Sequence, residues 1–289
     1  MKYIIGVDIG GTNIRAGLVA PNGKITSKIK ARTETKKGQK AVLRKIIDII
    51  ETFPIKKVDS IGLGVPGMID AKNGIVKYSP NLPLKNVNIR KLIEKEFKKP
   101  VFVDNDANCF TLAEAKYGAA KNKKNVIGLT LGTGVGSGIV IDGKLYHGRG
   151  NAAELGHTTI NFNGPKAKCG NNGCVESYVS IRGILNRVKG LYIKNPKELF
   201  ELAEQKNKKA LKLWQDTGSY LGVAIANFAN IFDPDAIVIG GNIANAWKFF
   251  SKEMNKTIKK RALVKDIKVI RSKLGEDAGI LGAASLCFS

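Results

Sequence analysis

Two aspartates occur in the stretch VDNDAN, residues 103–108, which follows an apolar run and leads into a predicted helix. A hydroxyl group that attacks a phosphorus atom needs a neighbour that orients it and accepts its proton. A carboxylate at a strand end, close to the start of a helix, can do both, so Asp104 and Asp106 are candidate general bases. Capping of the helix is the alternative role for either side chain, because Asp is a favoured N-cap residue.

Two glycine-rich segments could hold phosphate groups. They begin at Ile5 and Ile127 and form an internal repeat of strand, glycine turn, second strand and tight turn. A glycine turn lets backbone N–H groups approach a phosphate without an obstructing Cβ atom. Neither segment is a Walker loop, and each leads into a strand, whereas a Rossmann loop leads into a helix. One such turn could be an ordinary hairpin, but two equivalent turns could hold one polyphosphate from both sides.

The window ELGHTTINFNGPKAKCGNNGCVES, residues 154–177, contains one of the two histidines and two of the four cysteines. Glu154 and His157 share a face if this part of the chain is helical. Together with Cys169 and Cys174, His157 could form a metal site, but structural zinc normally has four ligands. A disulfide and a substrate pocket are the other interpretations.

The composition favours a two-lobed protein of the cytoplasm. A chain of 289 residues exceeds the usual size of a single core. No apolar run approaches the ~20 residues that span a bilayer, and the N-terminus is too short for a signal peptide. Four cysteines in a chain of this length do not indicate a secreted disulfide framework. We therefore expect no membrane partner.

The formal net charge of +24 arises from 48 Lys and Arg residues against 24 Asp and Glu residues. Such an excess can mark a nucleic-acid-binding protein. Here the basic residues are dispersed, only 7% of residues are aromatic, and no helix-turn-helix pattern precedes the first strand. We therefore expect solvated basic faces and no specific nucleic-acid partner.

The elements that must position these residues alternate between strands and helices. An apolar stripe predicts an amphipathic helix over 38–53, formed by Val42, Ile46, Ile49 and Ile50. Further helices are predicted at about 88–98, from Asp106, and from Asp277 onward, with buried strands between them. This alternation indicates an α/β protein, in which ligands favour strand ends and crevices between domains.

The segments GVDIGGTNIRAG and LGTGVGSG resemble the phosphate loops of the superfamily of sugar kinases, heat-shock proteins and actin. The resemblance implies an α/β, two-lobed, actin-like or ribonuclease H-like ATPase fold with an interdomain cleft. The lobes would comprise residues 1–105 with 276–289, and residues 106–275. It implies Asp8 near Mg²⁺, Gly240 and Gly241 against the adenosine, and ATP phosphates on Gly10, Gly11, Thr12, Asn13, Gly132, Thr133 and Gly134. An ordinary strand-to-helix turn is the alternative for Gly240 and Gly241.

Over nearly the whole chain, the motifs resemble the ROK family of repressors, open reading frames and kinases. They are NDAN, GRGNAAELGH, CGNNGCVE, LGVPG (63–67), NLP (81–83) and LGEDAGILGAA (274–284). The resemblance implies that Asp106 is the general base. It implies the sugar ligands Asn105, Glu154, His157 and Glu176, and the family loops add Gly67 and Asn81.

The family's zinc site uses one His and three Cys, but Ala167 occupies the position of the first cysteine. The remaining candidate ligands are His157, Cys169 and Cys174. Zinc could stay with these three ligands and a water or another donor, or be lost while packing holds the loop. A disulfide between the two cysteines is disfavoured in a reducing cytosol.

The resemblance implies an ATP- and Mg²⁺-dependent hexose kinase, glucokinase-like, which phosphorylates the 6-hydroxyl of glucose or a related hexose and forms a homo-oligomer (dimer or tetramer). Relatives acting on mannose, N-acetylmannosamine, N-acetylglucosamine or fructose, and polyphosphate donors, leave the substrates open. A sugar-sensing transcription regulator is the alternative from another class, although the sequence starts directly at the first phosphate strand. A phosphate-binding scaffold without turnover is disfavoured by Asp8 and Asp106.

Overall fold

The computed structural model describes residues 3–188, 190–191 and 193–288. The strands are β1 (Tyr3–Ile9), β2 (Asn13–Val19), β3 (Ile25–Arg32), β4 (Val58–Val65), β5 (Met68–Asp70), β6 (Ile75–Tyr78), β7 (Lys85–Asn88), β8 (Val101–Asn105), β9 (Val126–Leu131), β10 (Val135–Ile141), β11 (Lys144–Leu145), β12 (Ala236–Gly240) and β13 (Val269–Arg271). The helices are α1 (Gln39–Glu51), α2 (Ile89–Phe97), α3 (Asp106–Lys116), α4 (Glu176–Val179), α5 (Ile181–Asn186), α6 (Pro196–Glu204), α7 (Lys208–Phe232), α8 (Trp247–Arg261) and α9 (Asp277–Ser285). The predicted alternation of strands and helices is confirmed.

The chain divides into two compact units. Unit 1 comprises Met1–Lys124, Gly138–Ala153 and Lys273–Ser289, and unit 2 comprises Asn125–Ser137 and Glu154–Ser272. The predicted division into lobes at residues 105 and 275 stays a prediction. Among the described helices, none combines the length and the apolar character needed to cross a bilayer.

Unit 1 contains a five-stranded sheet of order β3-β2-β1-β4-β8. The pairs β1/β2 and β2/β3 are antiparallel, whereas β4 pairs in parallel with β1 and with β8. The carboxyl ends of parallel strands meet at the same edge of a sheet, so the ends of β1, β4 and β8 lie together. Asp8 and the stretch that begins at Asp104 are at this edge.

Helix α1 covers this sheet through the predicted apolar stripe. Val42, Ile46 and Ile50 are fully buried, and they belong to the same core cluster as the apolar residues of β1, β4 and β8. Apolar residues three and four positions apart share one face of a helix, and this spacing produced the prediction. The helix runs from Gln39 to Glu51, within the predicted range of 38–53.

Helix α9 packs directly on strands β1 and β4. A Cβ atom at Gly62 of β4 would collide with the Ala283 carbonyl oxygen, and one at Gly6 of β1 with that of Ile280. Small residues therefore let the helix backbone approach the sheet closely. Ile280, Leu281 and their apolar neighbours fill the remaining space.

Unit 1 also contains a small antiparallel sheet of order β5-β6-β7. In unit 2, β12 pairs in parallel with both β9 and β13. The long helices α7 and α8 pack on each other, and the aromatic side chains of Trp214 and Phe250 are fully buried. Strand β10 begins in unit 2 and ends in unit 1, where its last residues pair antiparallel with β11.

Candidate functional site

The first glycine turn connects β1 and β2. The Gly10 N–H donates to the Asn13 carbonyl at 2.9 Å, and the Thr33 hydroxyl donates to the Gly10 carbonyl at 2.6 Å. Gly11 lies against Asn81, whose Cβ atom would be 3.0 Å from a Cβ atom at that glycine. The structure therefore brings the predicted sugar ligand Asn81 to the predicted phosphate turn Gly10–Asn13.

Asp8 lies directly before this turn and faces a mixed charge environment. Its Oδ2 atom is 3.4 Å from Arg15 Nη1, and Arg15 Nη2 is 3.2 Å from Glu276 Oε1. Burial raises the pKa of Asp8, and the nearby Arg15 guanidinium opposes that rise. A cation offsets the cost of burying a carboxylate, and Mg²⁺ prefers carboxylate and water oxygens. Asp8 therefore fits the predicted Mg²⁺ position.

The strand-to-helix turn from β8 to α3 carries the predicted general base. Asn105 is the N-cap, and its side-chain oxygen accepts from Ala107 N at 2.8 Å and from Asn108 N at 3.3 Å. Its Nδ2 atom donates to the Gly67 carbonyl at 3.1 Å. Asp106 is the first residue of α3 and is half-buried. The turn therefore brings Gly67, Asn105 and Asp106 together in unit 1.

Asp104 has a different environment from Asp106. Its carboxylate is buried and accepts from Asn105 N at 2.7 Å and from Asn108 Nδ2 at 2.8 Å. His147 Nε2 lies 2.6 Å from Asp104 Oδ2. These partners occupy both oxygens of the Asp104 carboxylate, and Asp106 stays the predicted base. The N-cap residue is Asn105, and the Asp106 Oδ1 atom also accepts from Ala107 N at 2.9 Å.

His147 is a residue that the sequence argument did not single out. It follows the β10–β11 hairpin in unit 1, and the hydrogen bond to Asp104 raises the pKa of its imidazole, against an opposing effect of burial. Two sequence signals could have identified it. It is one of only two histidines, and it directly precedes the GRG segment of the GRGNAAELGH motif.

The second glycine turn, between β9 and β10, lies in unit 2. The Gly132 N–H donates to the Gly134 carbonyl at 2.9 Å. Glu176 Oε2 accepts from Val135 N at 2.9 Å, and a Cβ atom at Gly134 would be only 2.5 Å from that same oxygen. The turn therefore contacts the predicted sugar ligand Glu176, and a Cβ atom at residue 134 would displace the Glu176 carboxylate.

The third glycine turn lies beside the second one. A Cβ atom at Gly241 would collide with the Leu131 carbonyl, and Gly240 pairs with Thr130 across β12 and β9. The predicted adenosine loop therefore adjoins the residue that directly precedes Gly132 in the second predicted phosphate turn.

Glu154 is the N-cap of a short 3₁₀ turn in unit 2, Leu155–His157, and His157 is its last residue. The Leu155 N–H donates to the Ser137 hydroxyl at 3.1 Å, which anchors the turn to β10. His157 Nε2 lies 3.9 Å from Glu154 Oε2, and 63% of the Glu154 side chain is exposed. The predicted pairing of these two side chains on one turn is present, and both have free surface toward solvent.

The predicted zinc ligands form one cluster in unit 2. The ligand atoms of His157, Cys169 and Cys174 lie within 4.8 Å of one another, and the two sulfur atoms are 3.6 Å apart and not bonded. His157 Nδ1 is buried and has no hydrogen-bond partner among the residues that the structure describes. Burial and the nearby Cys169 raise the pKa of the Cys174 thiol to about 11. An unpartnered imidazole nitrogen beside two thiols fits a zinc ion with three protein ligands.

The comparisons with known proteins agree with these features. The model of the ROK family matches residues 4–289. A glucokinase of Thermotoga maritima is 37% identical over 98% of this chain and 96% of its own length. A xylose repressor of Caldicellulosiruptor bescii is 31% identical over 99% of this chain and 78% of its own length.

A solved structure extends the agreement from sequence to fold. The ROK family glucokinase of Streptomyces griseus, in complex with glucose and AMPPNP, superposes with a TM-score of 0.82. It is 31% identical, and the match covers 98% of each chain. The predicted actin-like α/β fold is thereby confirmed. The chain belongs to the ROK family.

Proposed function

We propose that this protein is a kinase that transfers the γ-phosphate of ATP to the 6-hydroxyl of glucose. The observation that carries the proposal is the capped strand-to-helix turn that presents Asp106 beside Asn105 and the Gly67 carbonyl. The glucokinase of T. maritima and the S. griseus enzyme that binds glucose and AMPPNP support glucose and ATP as the substrates.

In the proposed reaction, Asp106 orients the sugar hydroxyl and accepts its proton. The proposed ligands of the other hydroxyl groups are Asn105, Gly67, Asn81, Glu154, His157 and Glu176. Phosphoryl transfer depends mainly on positioning and on the stabilisation of developing negative charge. The Gly10 and Gly132 N–H groups bond within their own turns. Other backbone N–H groups of Gly10–Asn13 and of Gly132–Gly134 supply that stabilisation, and the Gly240–Gly241 turn adjoins the adenosine. Mg²⁺, held near Asp8, would neutralise charge on the phosphate oxygens.

A hexose panel tests the substrate assignment. Purified protein is incubated with glucose, mannose, fructose, N-acetylglucosamine or N-acetylmannosamine, with ATP or polyphosphate, and with Mg²⁺ or EDTA. We expect the highest kcat/KM for glucose with ATP and loss of turnover in EDTA. A higher kcat/KM for another hexose would reassign the substrate within the family, and no turnover on any sugar would overturn the kinase proposal.

A sugar-sensing regulator is the second candidate, because the matched xylose repressor aligns over 99% of this chain. That repressor is longer, since the match covers 78% of its length. The intact Asp106 turn favours the kinase. Sequence-dependent binding to duplex DNA at physiological salt, without hexose turnover, would favour the regulator.

We also propose that the protein retains zinc on His157, Cys169 and Cys174, with a water or another small donor in the fourth position. Ala167 cannot supply that donor, but the loop keeps a closed form. Ala167 N donates to the Asn171 carbonyl at 2.7 Å, and Gly170 N donates to the Ala167 carbonyl at 3.1 Å.

We further propose a homo-oligomeric enzyme of the cytoplasm that feeds glucose into glycolysis. Light scattering on purified protein tests the oligomeric state.

A further inference from the structure

The buried carboxylate of Asp104 lies close to the proposed general base in the sequence. Only 5% of its side chain is exposed, and it lies two residues before Asp106. A buried carboxylate is costly unless hydrogen bonds and an opposite charge compensate it. Its Oδ1 atom accepts from Asn105 N and from the side chain of Asn108, so it joins both sides of the helix start.

His147 supplies the remaining partner of this carboxylate. Its Nε2 atom lies 2.6 Å from Asp104 Oδ2, and 36% of the imidazole side chain is exposed. Because Oδ2 is the acceptor of this hydrogen bond, Nε2 must carry the proton. Both the neutral imidazole protonated at Nε2 and the fully protonated imidazole can therefore form the pair. The protonated form adds an ion pair at low solvent exposure.

The backbone of His147 organises a second element. Its carbonyl accepts from Gly150 N at 2.7 Å and from Ala152 N at 3.1 Å, which closes the loop 147–152. Along the chain this loop leads directly into Glu154, a proposed sugar ligand. His147 therefore binds the turn that carries Asp106, and it also shapes the segment that precedes Glu154.

We infer that His147 is a positioning residue, which fixes the Asp106 turn through the Asp104 carboxylate. The inference rests on the proposed kinase function. Small displacements of a reacting group are costly, since about 1 Å can lower a rate by about 10²-fold. Loss of the imidazole leaves Asp104 Oδ2 without this partner, and we expect the turn to shift toward a new one. We expect the loss of His147 to lower kcat. In the described part of the chain, His147 contacts neither phosphate turn, so its loss should not weaken ATP binding.

Several charged groups lie near His147. They are Asp104 on β8, Arg149 on the same loop, and Asp70, Lys72 and Lys77, which line the same cavity from the β5–β6 hairpin. Lys77 pairs with Asp70 at 3.9 Å, while Asp104 contacts the imidazole directly. The direct partner dominates, so the folded protein holds the His147 proton more tightly than the unfolded chain does.

The kinetic test compares His147→Ala, His147→Gln and the exposed neighbouring control Arg149→Ala. The Gln amide retains a donor that can reach the Asp104 oxygen but cannot carry a charge. We expect His147→Ala to lower kcat for glucose phosphorylation by about 10- to 100-fold, with unchanged KM for ATP. His147→Gln should recover most of kcat, and Arg149→Ala should match the wild type. An unchanged kcat in His147→Ala would overturn the inference, as would an equal loss in Arg149→Ala.

A measurement independent of activity tests the pair itself. The chain has two histidines, so the imidazole NMR signal that disappears in His147→Gln belongs to His147. We expect this signal to titrate above the ordinary pKa of 6.5, and to return toward it in Asp104→Asn. Titration at the ordinary value in the wild type would overturn the pairing.

The kinetic results separate the two proposals. A wild type that is inactive on every hexose would overturn the proposed kinase, whereas an active wild type with an equally active His147→Ala variant overturns only the role of His147.

Discussion

Glu176 contacts the second glycine turn: its Oε2 atom accepts a hydrogen bond from the backbone N–H of Val135 at 2.9 Å. The proposed sugar ligand therefore also fixes the residue that follows the proposed phosphate turn. A substitution of Glu176 should therefore change the binding of both substrates. A side chain that contacted only the sugar would change the binding of glucose alone.

Glu176→Ala should raise KM for glucose and KM for ATP together. Loss of the acceptor leaves the Val135 N–H unpaired, at a cost of about 1–3 kcal/mol, which corresponds to about 5- to 150-fold. Glu176→Gln keeps an acceptor and should retain KM for ATP while it weakens glucose binding. Steady-state kinetics with each substrate varied in turn provide the measurement. An effect of Glu176→Ala on glucose alone would contradict the coupling.

Asp106→Asn should lower kcat by about 10²–10⁴-fold, the range typical for loss of a general base. The amide is nearly the same size and remains on a capped helix start, so the fold and weakened glucose binding should persist. Rapid-quench kinetics and calorimetric glucose titration measure the two quantities. The exposed Asp266→Asn variant is the matched control. Near-wild-type turnover in Asp106→Asn would remove the proposed base.

Elemental analysis of protein purified without chelators should find about one zinc per chain. The Cys169→Ser/Cys174→Ser double variant should contain none, because only His157 then remains of the three ligands. Ala167→Cys should raise zinc affinity in a competition with a chromophoric chelator, since a fourth thiolate completes a tetrahedral site. Metal-free wild-type protein with full kinase activity would show that packing alone holds the loop.

Gly62→Ala should destabilise the protein, whereas Gly132→Ala should not. A methyl group at residue 62 would collide with the Ala283 carbonyl. At residue 132, apart from the two adjacent residues, no atom in the described part of the chain lies within 4 Å of the equivalent position. Overpacking typically costs about 1–3 kcal/mol, and each kcal/mol lowers the melting temperature by about 2 °C in a chain of 289 residues. Differential scanning calorimetry checks the pair of variants. Equal melting temperatures would contradict the packing of α9 on β4.

The sequence by itself determined the local structure and the residue types of the candidate site. The spacing of Val42, Ile46 and Ile50 predicted the helix observed at Gln39–Glu51. Helices and hairpins follow short-range periodicity and turn chemistry, which a linear sequence displays directly. The glycine turns after β1 and β9 were predictable for the same reason.

The tertiary structure alone shows how the environments of Asp104 and Asp106 differ, although the family resemblance had already favoured Asp106 as the base. The two residues have the same side chain at nearly the same place in the sequence, but one is buried against a histidine 43 positions away. The contact of Glu176 with Val135 likewise joins residues 41 positions apart. Such pairs depend on which strand ends and loops pack together, a long-range outcome that no local pattern encodes. Burial and these contacts, and not residue type, show that the Asp104 carboxylate holds the turn together.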